Sequence, residues 1–388
     1  MPTPAAQGFV MPAEWEKHEA TWLGWPHNRH DWPGKIAPIH WVFGEMARKI
    51  AAGEIVRIIV RDAAHERQAR RVLEKARADL KQIEFFRWPT DRGWTRDFGP
   101  ICVRRGGKRP EVAVAKFKFT AWGYKYPNWQ LDNQIALKAA KALGLRVFRV
   151  ACPGGRMPGH VTGKAFASRS HAHANSRVSM PPSEGDNDFA LEGGGIEVNG
   201  RGTLLTTEEC FQHPTVQIRN PGATRADYDR VFRDYLGATN VLWLGDGIVG
   251  DDTHGHVDDL CRFVNPTTVV MIQDSDPRDV NYRPLKENRE RLAGMRLEDG
   301  GKITVVDLPC PAPLYYGDWR LPASYANFYI SNAAVIVPTF NDPADRVALG
   351  ILADLFPDRT VVGIHAVDLV LGFGTLHCLT QQQPAAKA

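Results

Sequence analysis

Apolar and polar positions along the chain recur in one order: residues spaced as on one helix face, a short β-branched run, then a polar loop. Five segments follow it. "AAHERQARRVLEKARADL" precedes "KQIEFFRWP", "QIALKAAKALG" precedes "LRVFRVACP", and "ADYDRVFRDYLG" precedes "NVLWLGDG". "RPLKENRERLAGM" leads through "RLEDGG" to "KITVVDLP", and "ADRVALGILADLF" leads to "RTVVGIHAV". Gly144, Gly237 and Pro357 stand where these helices are expected to stop, since glycine takes the left-handed cap and proline cannot continue a helix.

Further strand-like sequence follows each loop: "GPICVRR", "GGGIEVNGRGTLLTT", "DDLCRFVNPTTVVMI", "NFYISNAAVIVP" and "TLHCLTQ". The order predicts an α/β class built from five ββαβ-type units. One such unit cannot cover its own apolar faces, so a closed, five-fold pseudosymmetric ring is expected, with residues 1–388 as a single domain. In a ring the last strand pairs near the first. That would pin Cys378, ten residues from the end of the chain, beside "EATWLGWP" and "EIVRIIVRD". One stretch breaks the order. Residues 153–187, including "ASRSHAHANSRVSMPP", are rich in Gly, Pro, Ser and Ala without a period and read as a surface loop insertion. Its histidines 160, 171 and 173 lack the spacing of a metal-ligand set.

Composition narrows the function classes. The net charge of +4 is spread without a Lys/Arg block, so no nucleic-acid partner is expected. The apolar runs fall short of the roughly 18 residues that span a bilayer. The N-terminal stretch "MPTPAAQGFVMPAEWEKHEA" lacks the basic flank and apolar run of a signal peptide. Six cysteines without framework spacing point to reduced thiols and a cytoplasmic setting.

The polar residues that follow the strands carry the chemistry. "DRGWTRDFGP" supplies Trp94 and Asp97, "LEGGG" supplies Glu192, and "GDDTHGHVDD" supplies Asp252, His256 and Asp258. The last unit supplies Cys378, behind glycines 372 and 374 that permit close backbone approach. Taken singly, such residues are ordinarily structural, and Cys102, Cys210 and Cys261 read as small buried hydrophobes. In a ring, equivalent loops converge, which would gather a thiol, an imidazole and several carboxylates. His254, His256 and Asp258 alternate and would share a strand face as a metal site, but Gly255 argues for a tight loop instead.

A cysteine nucleophile needs thiolate character and a partner that moves protons. Extra carboxylates would raise the thiol pKa and repel a carbonyl substrate. They make sense around a cation. A guanidinium presents N–H donors in a fork that carboxylates match, and its bound charge favours the thiolate.

At these residues the sequence resembles a known family. "PAEWEKHEATWLGWP", "WTRDFGP", "LEGGGIEVNGRGTLLTTEEC", "DDTHGHVDDLCRFV", "SYANFYISNAAVIVPTFNDPADRVAL" and "GTLHCLTQQQP" are similar to agmatine deiminases, within the guanidino-modifying group that includes bacterial peptidylarginine deiminases. The resemblance implies a five-bladed α/β propeller around a central active site. It implies Cys378 as nucleophile, His256 as general acid and then base, and Asp97 and Asp258 as holders of the guanidinium nitrogens. It further implies Glu192 orienting the histidine, and Trp94 and Asp252 lining the site of the alkyl chain and distal amine. No metal or organic cofactor is implied, and the expected partner is a small cationic guanidine, with a homo-oligomer left open. Arginine, peptidyl arginine and methylated arginine stand as rival substrates, amidino transfer as a rival reaction, and guanidine binding without turnover as a reading outside enzymes. A substrate bearing an α-carboxylate would want an Arg or Lys at the pocket mouth, and Arg156, Arg169 and Arg177 are candidates. Phe373 interrupts the glycine run of the family, and "TTEECFQHPTVQIRNP" departs from its usual form.

Overall fold

Each helix-then-strand segment folds as its spacing predicts. The computed structural model describes residues 2–152 and 188–387; the 153–187 insertion, with its three histidines and three arginines, lies outside them. Helix Ala63–Lys75 buries His65, Glu66, Ala69 and Leu73 on one side, and Asp62 caps its start by accepting the His65 amide. Helix Ile135–Leu143 stops at Gly144 with φ +65°. Helix Arg225–Val231 runs into a π turn, Phe232–Leu236, that stops at Gly237 with φ +73°. Helix Ala344–Leu355 ends just ahead of Pro357.

Among the described residues these segments build five sheets and one two-stranded ribbon in a mixed α/β fold. Four sheets share one plan: an antiparallel pair, then a helix, then a third strand parallel to the second. Ile101–Arg105 and Glu111–Lys116 are joined by Arg146–Arg149, and Glu197–Val198 and Thr203–Thr207 by Asn240–Leu244. Cys261–Asn265 and Thr268–Gln273 are joined by Thr304–Pro309, and Tyr329–Ile330 and Ala334–Thr339 by Thr360–His365.

The fifth sheet joins the chain's two ends. Thr380–Pro384 runs antiparallel to His18–Gly24, which pairs in parallel with Ile55–Val60, itself parallel to Ile83–Arg87. The last strand is polar, "TQQQP", yet wholly buried. Buried amides need partners. Arg57 donates to Gln383 at 2.5 Å and Arg96 to Gln382 at 2.7 Å. The Cys378 carbonyl accepts from the Arg96 amide at 3.2 Å, so the strand that follows the thiol is fixed in the core.

Candidate active site

Cys378, His256, Asp97, Asp258 and Glu192 come together in one buried cluster, as the sequence predicts. Local structure aims each of them. Asp97 sits on a single helical turn, Thr95–Phe98, and Glu192 precedes the glycine turn Gly193–Gly195. Asp251 accepts the Gly255 and His256 amides at 2.8 and 2.9 Å, folding "DTHGH" into a tight turn. That turn separates His254 from His256: His254 takes φ +65° and pairs with Glu209 at 3.1 Å, so the alternating ligand face does not form.

Asp258 is the hub. Its Oδ2 lies 3.7 Å from the Cys378 sulfur and its Oδ1 lies 4.0 Å from His256 Nδ1. His256 also stands 3.8 Å from Asp97 and 3.7 Å from Glu192. Asp258 Oδ1 and both His256 ring nitrogens are buried without a hydrogen-bond partner. Such groups cost free energy unless something fills the space between them. Gly194 lets these groups close in on one another. A Cβ there would stand 2.5 Å from His256 Nδ1, 3.0 Å from Asp97 Oδ1 and 3.1 Å from Asp258 Oδ2. Glycines 372 and 374 have a similar part near the thiol, where added Cβ atoms would meet the Trp94 ring at 2.8 and 2.9 Å.

The charges suit a cation. Burial and the acidic groups of Asp258, Asp259 and Asp97 push the Cys378 thiol well above its usual value, so it holds its proton. Burial, with Asp258 and Glu192 close by, lifts Asp97 to about 6 despite His256. Burial works against a charged His256, but Asp97, Cys210 and Glu192 outweigh it and hold the imidazole protonated. Burial is likewise outweighed at Glu192, where Arg219 keeps the carboxylate ionised.

Several groups of the site carry no role in the sequence expectations, although Glu14, Asn327 and His377 stand in "PAEWEKHEATWLGWP", "SYANFYISNAAVIVP" and "GTLHCLTQQQP". Asn327 donates to the Cys378 sulfur at 3.1 Å, while its oxygen accepts from Thr375 at 2.7 Å and the His377 amide at 3.1 Å. His377 bridges Asp258 and Glu14, and Glu14 also takes Arg96 and Arg262 at 3.0 and 2.9 Å. Arg219, from the divergent "QIRNP" stretch, donates to Glu192 at 3.1 Å and to the carbonyls of Thr253 and Gln217. Trp122 donates to Asp97 Oδ2 at 2.9 Å from a turn in which Ala121, Trp122, Gly123 and Tyr124 all have positive φ. Three of these are not glycine, at a cost of about 1–2 kcal/mol each.

Trp94 lies against Trp32, with ring centroids 5.1 Å apart, and donates to Asp31 at 3.2 Å. Asp252 is placed less simply than expected, because Lys125 and Tyr126 already hold its carboxylate at 2.5 and 2.6 Å. Among the described residues, two trios offer ligand atoms within 4.8 Å of one another: Glu192, Cys210 and His256, and Asp258, Asp259 and Cys378. In the first, Glu192 is committed to Arg219. In the second, burial with Asp258 and Asp251 pushes Asp259 well up, so it carries a proton.

Comparison with known proteins gives the chain a family. A family model of Porphyromonas-type peptidyl-arginine deiminases matches residues 10–384. The agmatine deiminase of Ectopseudomonas mendocina is 34% identical over 405 residues, spanning 99% of this chain and 97% of that protein. The solved agmatine deiminase of Enterococcus faecalis superposes with a TM-score of 0.83 at 29% identity, over 100% of this chain and 98% of that one. A substrate-bound variant of the C. jejuni agmatine deiminase gives 0.78 at 27% identity, over 98% and 97%.

Proposed function

The chain belongs to the Porphyromonas-type peptidyl-arginine deiminase family, and from that premise we propose that it hydrolyses agmatine to N-carbamoylputrescine and ammonia. One observation carries the reading. Asp258 Oδ1 and His256 Nδ1, 4.0 Å apart, are buried without hydrogen-bond partners, beside Asp97 and with Asp258 Oδ2 3.7 Å from the Cys378 sulfur.

The guanidinium lies between Asp97 and Asp258, its N–H groups donating to their oxygens. Its charge offsets the carboxylates that hold the thiol protonated, and the thiol proton is released as it binds. The Cys378 thiolate forms a bond to the guanidinium carbon, and the electron pair moves onto nitrogen. Protonated His256 gives its proton to one amino group, the C–N bond breaks, and ammonia leaves. A cationic thiouronium adduct remains. His256, now neutral and held near Glu192, takes a proton from water as the hydroxide adds to the same carbon. The C–S bond then breaks as the hydroxyl gives up its proton to solvent, returning the thiolate and leaving the neutral ureido product. Asp97 and Asp258 contribute by positioning and by electrostatics throughout.

In this reading the five sheets are the blades of a single propeller domain, residues 1–388, whose loops converge on the cluster. The free cysteines among the described residues, and the lack there of a helix long and apolar enough to cross a membrane, support action in the cytoplasm. Cys378→Ala is expected to release no ammonia from agmatine while still binding it in calorimetry. Turnover that survives this substitution would remove the proposal.

A further inference from the structure

His256 belongs to a closed ring of contacts. Asp97 and Glu192 stand 3.8 and 3.7 Å from its two ring nitrogens. Trp122 holds Asp97, donating its indole N–H to Oδ2 at 2.9 Å. Arg219 holds Glu192 at 3.1 Å and donates from Nη1 to the Gln217 carbonyl at 3.0 Å. The ring closes where Gly123, the residue after Trp122, meets Gln217. A Cβ on Gly123 would stand 2.8 Å from Gln217 Cα and closer still to its carbonyl carbon and oxygen.

The closure is strained on both sides. Ala121, Trp122, Gly123 and Tyr124 take φ +47°, +58°, +74° and +62°, and Gln217 takes +44°. Left-handed backbone outside glycine persists only where the surroundings over-determine it. Here they do. Thr120 accepts the Gly123 amide at 3.2 Å through its hydroxyl and the Tyr124 amide at 2.7 Å through its carbonyl. Both arms are also tied to one oxygen: Gln217 Nε2 donates to the Asp252 carbonyl at 3.1 Å and Lys125 Nζ donates to it at 2.9 Å. The direction of the Trp122 side chain depends on this turn, and so does its hold on Asp97.

We propose that Gly123 and Gln217 are positioning residues: their contact closes the ring and fixes how far apart Asp97 and Glu192 stand around His256. The use of that spacing rests on the deiminase reading; the contact itself does not. His256 must give a proton to the leaving nitrogen and then take one from water, and both transfers need it held between the same two carboxylates.

The test reads the ring apart from turnover. Asp97 faces His256, Asp258, Glu192 and Cys378; burial does most to lift it to about 6, and the Trp122 N–H works against burial. In the full chain labelled with 15N-tryptophan, the Trp122 Nε1–H resonance, identified by its loss in Trp122→Phe, is expected to titrate with a midpoint at about 6. Gly123→Ala drives a methyl into Gln217. Gln217→Gly removes the tie to Asp252 and keeps a φ that glycine adopts freely, so it folds as the parent does even if Gly123→Ala does not. In each the indole bond to Asp97 loosens, and the midpoint is expected to rise by about half a pH unit or more, since a donor to the charged form is weakened. The acid limb of kcat/KM on agmatine should move with it, and kcat/KM should fall by about tenfold in Gly123→Ala and by less in Gln217→Gly. Added to Trp122→Phe, Gly123→Ala should move that limb no further, because it acts through the indole. A merely structural contact would lower stability and leave the midpoint alone. The proposal is overturned if the Trp122 resonance fails to titrate, if its midpoint stays at the parent value in Gln217→Gly, or if Gly123→Ala and Trp122→Phe shift the limb additively. A midpoint that moves as expected in a chain that releases no ammonia from agmatine would remove the deiminase reading and leave the ring's hold on Asp97 standing.

Discussion

His377 anchors Asp258: its Nδ1 stands 2.7 Å from Asp258 Oδ2, while its Nε2 stands 2.7 Å from Glu14 Oε2. A ring nitrogen facing a carboxylate needs a hydrogen between them, so two carboxylates claim both sides of one imidazole. Burial and the guanidiniums of Arg262 and Arg96 press against a charged ring and hold His377 below the usual imidazole range. The result is a fixed Asp258 with Oδ2 occupied and Oδ1 left without a hydrogen-bond partner.

Two substitutions separate that anchoring from mere packing. An Asn amide can replace Nδ1 and reach Asp258, whereas a Gln amide extends toward Glu14. His377→Asn is expected to keep more of kcat/KM than His377→Gln, which should lose about a hundredfold through misplacement of Asp258. The loss should fall mainly on KM. Steady-state kinetics on agmatine check it, and a better Gln variant would show that Asp258 is not what His377 serves.

Gly194→Ala tests the cluster directly. The added methyl would stand among His256, Asp97 and Asp258, inside van der Waals limits for all three. Gly194 does not have a positive φ, so alanine there meets no backbone strain. Guanidine binding to a Cys378→Ala background should become unmeasurable by calorimetry, while overpacking lowers stability by about 1–3 kcal/mol, a loss that leaves the chain folded at room temperature. Retained binding would place the guanidinium elsewhere.

Asp97 gives the site a pH signature. Its folded-state value is raised to about 6 from the usual 3.8, with burial as the first cause. Between those values the native state holds a proton that the unfolded chain does not, so this group adds stability as pH falls through about 6 and opposes folding above it. Binding runs the other way, because a guanidinium needs the ionised carboxylate. In Cys378→Ala, agmatine affinity should fall by about tenfold per pH unit below pH 6, with up to one proton released on binding. Calorimetry in buffers of different ionisation heat measures that proton. A pH-independent affinity from 5 to 8 would deny Asp97 the role.

Sequence periodicity carried the elements well because helix stops and strand starts are local chemistry. Gly144 and Gly237 cap their helices in the left-handed conformation only glycine adopts freely. The placing of Cys378 was legible too, since the order of elements requires the last strand beside the first. The parts that escaped depend on distant partners. What buries the polar last strand, "TQQQP", is not written in its own residues: Arg57 and Arg96 reach its amides. Nothing local in "AWGY" announces four positive φ values in a row; the turn is held by its grip on Asp97 and by the Tyr124 amide, which returns to Thr120 O at 2.7 Å. Phe373, between Gly372 and Gly374, also takes φ +63°. The expectation that Asp252 serves a distal amine missed Lys125, because a lysine on a loop carries no mark of the carboxylate it meets 127 residues away.

Arg219 and Glu192 offer the strictest test of what the histidine needs. Both side chains are wholly buried, and Arg219 spends its remaining donors on backbone carbonyls. Removing one partner of such a pair strands the other charge, at a cost of about 3–5 kcal/mol. Arg219→Leu should therefore unfold at lower denaturant and lose activity, and alone it cannot distinguish support of the fold from support of His256. Adding Glu192→Gln removes the stranded charge. The double variant is expected to regain part of the stability, a coupling of about 0.5–3 kcal/mol in a double-mutant cycle, while activity stays low because His256 has lost its carboxylate. Additive stabilities would mean that the two side chains do not act as a pair. Recovery of turnover along with stability would mean that Glu192 matters only as Arg219's partner.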